Sequence, residues 1–96
     1  MLSLIWRPEA RRDLMEIIAY IAERHPAAAE RLGEAIRHTA ERLPDHPFIH
    51  RPGRVAGTRE AIVHPNYILV YRVADTIEVL AVVHARQQYP LSLIHI

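Results

Sequence analysis

Side chains that could grip a phosphate group are concentrated in one stretch of this sequence. Residues 46–59 carry Arg51, Arg54 and Arg59 together with two histidines, and they include no acidic residue. An arginine guanidinium stays charged and offers a planar fork of donors, so it can bind phosphate or carboxylate in two places. In residues 1–43, by contrast, seven arginines are balanced by seven acids. The sequence therefore predicts a local basic surface on a molecule that is otherwise close to neutral.

A second acid-free segment follows Glu78 and contains His84, Arg86 and Tyr89. Histidine side chains ordinarily titrate near pH ~6.5, where a group can both give and take a proton, so His84 could act in acid–base catalysis. A histidine bonded to the backbone at the end of a strand fits the position equally well. Tyr89 could stack on a base or close the core, and Arg72 adds a further cation for binding.

The composition argues against several other classes of site. Seven histidines invite a metal interpretation, but Pro47 disrupts the helical geometry that would bring His46 and His50 together, and the chain contains no cysteine. We therefore expect no metal and no cofactor. A net charge of +1 is too small to indicate nucleic-acid binding by itself. No apolar run is long enough to span a bilayer, so a cytoplasmic protein without membrane contact is expected.

The N-terminal half predicts a short strand followed by two helices. Apolar side chains alternate from Leu2 to Trp6, which is typical of a strand with one buried face. Pro8 suits the first position of a helix, and the proline after His25 should end that helix and open the next, which runs to Pro44. Apolar residues recur at helical spacing in both segments. Because the connection is short, the helices should form an antiparallel hairpin.

The C-terminal half predicts a three-stranded antiparallel meander. Proline and glycine punctuate the stretch after Pro44, which should be a loop with one short extended piece around Val55. Strands are expected at 59–63, 67–73 and 77–84, and the last should be central because its apolar residues fall on both faces. Together these elements predict an α+β domain over residues 1–90, with both helices on one face of one sheet. The apolar tail, residues 91–96, has no assigned role.

In this order, the motifs resemble those of toxins of the RelE/ParE superfamily, which belong to type II bacterial toxin–antitoxin pairs. The resemblance spans residues 2–90 and rests on WRPEA at 6–10, DL at 13–14, IIAYI at 17–21, PAA at 26–28, RPGRV at 51–55, GTRE at 57–60, PNY at 65–67, YRV at 71–73 and VHARQ at 83–87. It implies a growth-inhibiting toxin that is held in a hetero-oligomer by a small acidic antitoxin encoded beside it.

The resemblance leaves the target of the toxin open, because RelE-like members cut mRNA on the ribosome whereas ParE-like members poison DNA gyrase. In the RelE-like case, Arg54 and Arg59 would bind phosphate without a metal, and His84 would be catalytic. The loop arginines are then expected to meet His84 at the end of the last strand. The further residues expected to bind RNA or a partner are Arg51, Arg72, Arg86 and Tyr89.

The chemical adequacy of this set favours ribosome-dependent mRNA cleavage by a small margin. The absence of lysine, which several RNA-cutting relatives use beside arginine, and the low net charge favour the gyrase inhibitor. A third interpretation is an inactive remnant that only binds its antitoxin.

Overall fold

The computed structural model describes residues 2–86, so Tyr89 and the tail at 91–96 lie outside the described residues. It confirms the expected α+β order of one strand, two helices and a meander, and it adds one strand. The elements are β1 (Leu4–Trp6), α1 (Pro8–Ala22), α2 (Pro26–Arg42), β2 (Arg51–Pro52), β3 (Arg59–His64), β4 (Tyr67–Val73) and β5 (Ile77–His84).

Prolines set the start of both helices of the predicted hairpin. Each helix has proline in its first turn, where the missing N–H leaves no intrahelical bond unmade. His25 has an extended φ of −141°, as expected for a residue that precedes proline. Gly33 of α2 faces Ile18 of α1, and a Cβ at Gly33 would lie 3.4 Å from Ile18 Cδ1. A Cβ here would be in van der Waals contact with α1, so the two helices pack directly against each other at this point. Neither helix is long and apolar enough to cross a membrane.

All five strands form one sheet in the order β1-β5-β4-β3-β2. The last three strands pair antiparallel, as the meander requires, and β5 is an interior strand, as its apolar pattern predicted. The first strand lies at the edge, where it pairs parallel to β5 with Leu4 opposite Ile77 and Trp6 opposite Val79. The prediction of an extended piece around Val55 was wrong. The additional short strand is β2, and Val55 lies in the turn that follows it.

The sheet separates two apolar clusters. Side-chain alternation assigns most strand residues to one of them, but a register shift between β4 and β5 places the adjacent residues Leu80 and Ala81 in the same cluster. The helix face carries Ala61, Leu69, Tyr71 and Val82, which pack with both helices and with the predicted inward residues of β1. The outer face carries the second cluster, whose members are Val55, Ile68, Val70, Leu80, Ala81 and Val83. A residue's place in the strand therefore decides on which side of the molecule its side chain can act.

Candidate functional site

A buried carboxylate on the outer face organises two of the loop arginines. The Glu60 side chain is 2% exposed, and its Oε1 accepts hydrogen bonds from Arg51 Nε at 3.1 Å and Nη2 at 2.9 Å. Its Oε2 accepts from the Arg54 backbone N–H at 3.1 Å and lies 3.8 Å from Arg54 Nε. The acid-free stretch at 46–59 is therefore partly neutralised by the residue that directly follows it.

The turn between β2 and β3 fixes the position of Arg54. Gly53 N–H donates to the Thr58 carbonyl at 2.8 Å, and the Thr58 hydroxyl donates to the Val55 carbonyl at 2.6 Å. Gly57 has a φ of 83°, which glycine adopts without strain. From this turn, Arg54 Nη2 donates to the Ala85 carbonyl at 3.4 Å. Arg54 thus reaches the end of β5, as the sequence predicted.

Arg59 begins β3 on the helix face and orders the segment before β2. Its Nη1 donates to the His50 carbonyl at 2.6 Å and to the Phe48 carbonyl at 3.3 Å. Its guanidinium carbon lies 5.0 Å from the centroid of the Phe48 ring, within the range of a cation–π contact. The Tyr71 hydroxyl on β4 donates to the Pro47 carbonyl at 2.8 Å. Arg59 and Tyr71 together hold this segment against the sheet.

His84 ends β5 on the helix face and borders an acidic cleft of about 330 Å³. Its ring packs edge-on against Tyr67 at 5.3 Å, and its Nδ1 accepts the Arg86 backbone N–H at 3.1 Å. The cleft is lined on the α1 side by Glu9, Asp13 and Glu16.

Asp13 binds a backbone N–H of β5 that lies beyond the short stretch paired with β1. Its Oδ2 accepts the Val82 backbone N–H at 3.1 Å. Burial raises the pKa of Asp13, with a smaller rise from Glu16, while the Val82 hydrogen bond opposes the change. Ionisation of Asp13 is therefore less favourable than that of a carboxylate in water.

The sheet register keeps Arg59 away from His84. Arg59 is opposite Tyr71, whereas His84 is opposite Tyr67, four residues along β4. That offset corresponds to roughly 13 Å along the strands, in addition to two strand spacings. Arg54 approaches the end of β5 from the other side of the sheet. The expected meeting of both loop arginines with His84 is therefore not found.

The remaining predicted residues lie apart from these groups. Arg72 is on the outer face of β4, where its Nη2 donates to both oxygens of Glu78 at 2.8 and 3.0 Å, and Arg7 Nη1 lies 3.5 Å from the same carboxylate. The hydrogen bond from Arg72 is the main reason that the pKa of Glu78 is lowered. Arg86 is exposed in the turn after β5.

Comparison with known proteins decides the family, because residues 4–89 match the family described as "ParE toxin of type II toxin-antitoxin system, parDE". The chain belongs to this toxin family. It is 41% identical over 89 residues to Y4kP of Sinorhizobium fredii, named as a candidate toxin, across 92% of this chain and 93% of the relative. It is 33% identical over 88 residues to toxin RelE2 of Caulobacter vibrioides, across 88% and 97%.

A solved structure described as the chromosomal ParDE TA system from P. aeruginosa has the same fold. Its TM-score is 0.77 at 24% identity, and the match covers 88% of this chain and 96% of that chain. The predicted RelE/ParE membership and fold are thereby confirmed.

Sequence reasoning missed a second cleft of this ParE-family toxin. It has a volume of about 130 Å³ and is lined by Thr39, Arg42, His46, Ile49 and His50. Its signal in the sequence is the spacing of Arg42, His46 and His50 at intervals of four, of which only the His46 and His50 pair entered the metal interpretation. Across residues 2–86, no group of three or more metal-ligating side chains comes together.

Proposed function

We propose that this toxin arrests growth by inhibiting DNA gyrase, the action of ParE-like members, and that it does not cleave RNA. The observation that carries the proposal is the separation of Arg59 from His84 by four residues of register along β4. Cleavage through a 2′-hydroxyl requires a proton acceptor and phosphate-binding cations around the same atoms. Protein inhibition requires no such convergence.

The electrostatics around His84 support the same proposal. Its cleft is lined by Glu9, Asp13 and Glu16. Glu9 lies 3.9 Å from Arg7 Nε, and the carboxylates of Asp13 and Glu16 would repel an RNA phosphate. On the outer face, Arg51 and Arg54 share the buried Glu60 carboxylate. RNA binding gains affinity when free cations displace counterions, and cations already paired with carboxylates contribute less to that gain.

A nuclease is the second candidate because one of the loop arginines lies near the end of β5. Arg54 Nη2 lies 3.4 Å from the carbonyl of Ala85, directly after His84, so one cation does reach the end of β5. In that alternative, Arg54 and Arg59 bind phosphate, His84 transfers a proton, and RNA or a partner is bound by Arg51, Arg72, Arg86 and Tyr89.

The partner of the toxin in this proposal is a small acidic antitoxin that forms a hetero-oligomer with it in the cytoplasm. Membership in a type II family and the ParDE neighbour support such a partner. Co-expression with the adjacent reading frame should yield a complex that co-purifies and restores growth. The absence of any such neighbouring gene would count against the pair.

The two candidate mechanisms can be separated with purified toxin and with cells that express it. We expect the toxin to inhibit DNA supercoiling by gyrase and to induce the DNA damage response, while transcript ends remain unchanged. His84→Ala and Arg59→Ala test the nuclease alternative. Because Arg59 also donates to the His50 and Phe48 carbonyls, the melting temperature of Arg59→Ala must match that of the parent before its toxicity is compared.

The gyrase proposal is supported if both variants stay toxic. Site-specific mRNA ends that disappear in both variants, without an effect on gyrase, would establish the nuclease instead. Unimpaired growth with neither effect would identify a protein that only binds its antitoxin.

A further inference from the structure

The cleft at the end of α2 combines cationic and hydroxyl donors without an acidic lining residue. Thr39 and Arg42 come from the last turns of the helix, and His46 and His50 come from the segment that follows. The volume of about 130 Å³ is well below the roughly 300–1,000 Å³ of clefts that hold a drug-sized ligand. The space therefore suits a small oxyanion rather than a large organic ligand.

The donors of this cleft are not engaged by other side chains in the described part of the protein. Between residues 2 and 86, the side chains of Thr39, Arg42 and His46 form no hydrogen bond or ion pair. Arg51 and Arg72, by contrast, are held by the carboxylates of Glu60 and Glu78. An anion that entered the cleft could bind these donors without first breaking another hydrogen bond or ion pair.

Two arginines place positive charge near the His50 ring. Burial lowers the pKa of His50, and the charges of Arg42 and Arg59 lower it further, with no carboxylate among the causes. The groups that face this ring are Arg42 from α2, Arg59 from β3, Tyr71 from β4 and His46 from its own segment. A bound anion would offset this charge and favour protonation of the ring.

The backbone around the cleft is held in place before any ligand binds. The N–H groups of Asp45 and His46 donate to the Arg42 carbonyl at 3.2 Å each, and His46 N–H also reaches the Leu43 carbonyl at 3.1 Å. These bonds satisfy the Arg42 carbonyl at the end of α2 and the Leu43 carbonyl that follows it, so neither is left as a free acceptor beside the cleft. The Tyr71 and Arg59 contacts described above hold the other end of the segment.

We propose that this cleft is a binding site for a phosphate-type oxyanion, held by the Arg42 guanidinium, the His46 and His50 rings and the Thr39 hydroxyl. The site goes beyond the proposed function and does not depend on whether gyrase or RNA is the target. The same chemistry could recognise free phosphate or the phosphate of a nucleotide. The comparison of inorganic phosphate with adenosine monophosphate, described below, distinguishes these two sources.

Sulfate is a suitable first probe because its charge does not change near neutral pH, so any pH dependence comes from the protein. Sulfate added to the purified full chain at constant ionic strength should shift the imidazole NMR signals of His46 and His50 saturably. Binding should tighten as the pH falls and should raise the pKa of His50. Arg42→Gln should weaken binding by about tenfold, since a charge-assisted contact is lost.

Arg31→Gln is the matched control on the same helix. It removes the same charge about 16 Å away, beyond the Debye length of about 8 Å, so it should change sulfate affinity by less than about twofold. Arg42 is exposed, and an unchanged melting temperature will show that its variant stays folded.

Inorganic phosphate and adenosine monophosphate are the second pair of probes. Tighter binding of the nucleotide supports a nucleotide source, and equal affinity supports free phosphate. Unsaturable shifts with all three probes, or equal weakening by Arg31→Gln and Arg42→Gln, would overturn the site.

Discussion

The two ends of β4 carry the same pair of aromatic side chains in opposite electrostatic surroundings. At one end, Tyr67 packs edge-on against His84 with 5.3 Å between ring centroids. At the other, Tyr71 packs edge-on against His50 at 6.0 Å. Carboxylates of α1, including Asp13, line the cleft of the first pair, whereas guanidinium groups act on the second.

The comparison teaches that the packed elements, rather than the residue type, decide what each histidine can do. His84 has the better sequence signal for nuclease chemistry because it follows a strand and belongs to an acid-free segment. The structure gives it acidic neighbours from α1, far away in sequence. His50, which had no assigned role, lies among cations instead. An anion is thus favoured at the end with the weaker sequence signal.

The largest expected effect is a difference in stability between variants of Tyr71 and Tyr67, because the two side chains differ in burial. Tyr71 is fully buried, so Tyr71→Ala should lower the free energy of unfolding by about 3–5 kcal/mol. Tyr67 is only partly buried, and Tyr67→Ala should cost about 1–2 kcal/mol. Urea unfolding measures both values, and Tyr71→Phe should cost about 1 kcal/mol through the lost Pro47 bond. A larger loss at Tyr67 would contradict this assignment of the core.

Among the acids that line the cleft beside His84, Asp13 should contribute most to the stability of the fold. Asp13→Ala removes the acceptor of the Val82 N–H and should lower the free energy of unfolding by about 1–3 kcal/mol. Glu16→Ala is the control, because Glu16 lines the same cleft without accepting a hydrogen bond from β5. Equal losses in urea unfolding would show that Asp13 does not secure the edge of β5.

Two carboxylates should give stability profiles of opposite sign in acid. The raised pKa of Asp13 means that the folded state holds its proton more tightly, so stability from this group falls as the pH rises above 3.8 through the folded pKa. The lowered pKa of Glu78 means that its contribution is fully present above 4.5 and is lost as the pH falls through the folded pKa.

Unfolding curves of Asp13→Asn and Glu78→Gln, measured against pH and subtracted from the parent curve, test these signs. The two difference curves should slope in opposite directions below neutral pH. Parallel slopes would mean that one of the two carboxylates has been assigned the wrong environment.

The smallest expected effect concerns His50 in the ligand-free protein. Arg42→Gln removes one of the charges that lower the pKa of His50, so that pKa should rise toward its ordinary value of 6.5. NMR titration of the imidazole signal measures the pKa of His50, which Arg31→Gln should leave unchanged. An unchanged pKa in Arg42→Gln would show that Arg42 does not contribute to the potential of the cleft.

The helices and the meander could be predicted because their signals are local. Pro8 and Pro26 open helices in the structure as in the sequence, and the apolar residues of β5 indicated an interior strand. The two-residue β2 could not be predicted, since it is stabilised by pairing Arg51 with Glu60 and Pro52 with Arg59 rather than by its own sequence. Such pairing depends on β3 already being in place.

The candidate site was predictable residue by residue but not as an arrangement. Arg54 does reach the end of β5, because a tight turn directs it there. Arg59 and His84 share a face of the sheet, yet the register of β4 separates them. The Arg42 cleft was overlooked because its residues come from a helix end and a loop whose packing the sequence does not specify.

The sequence by itself determined the two helices, the three-stranded meander and the two acid-free segments, because periodicity, proline positions and charge are properties of neighbouring residues. The order of its motifs carried the resemblance to the family. Only the tertiary structure decided which charges meet. Glu60 neutralises the loop arginines and α1 adds acids beside His84, since Coulombic interactions depend on distance in space rather than on separation along the chain.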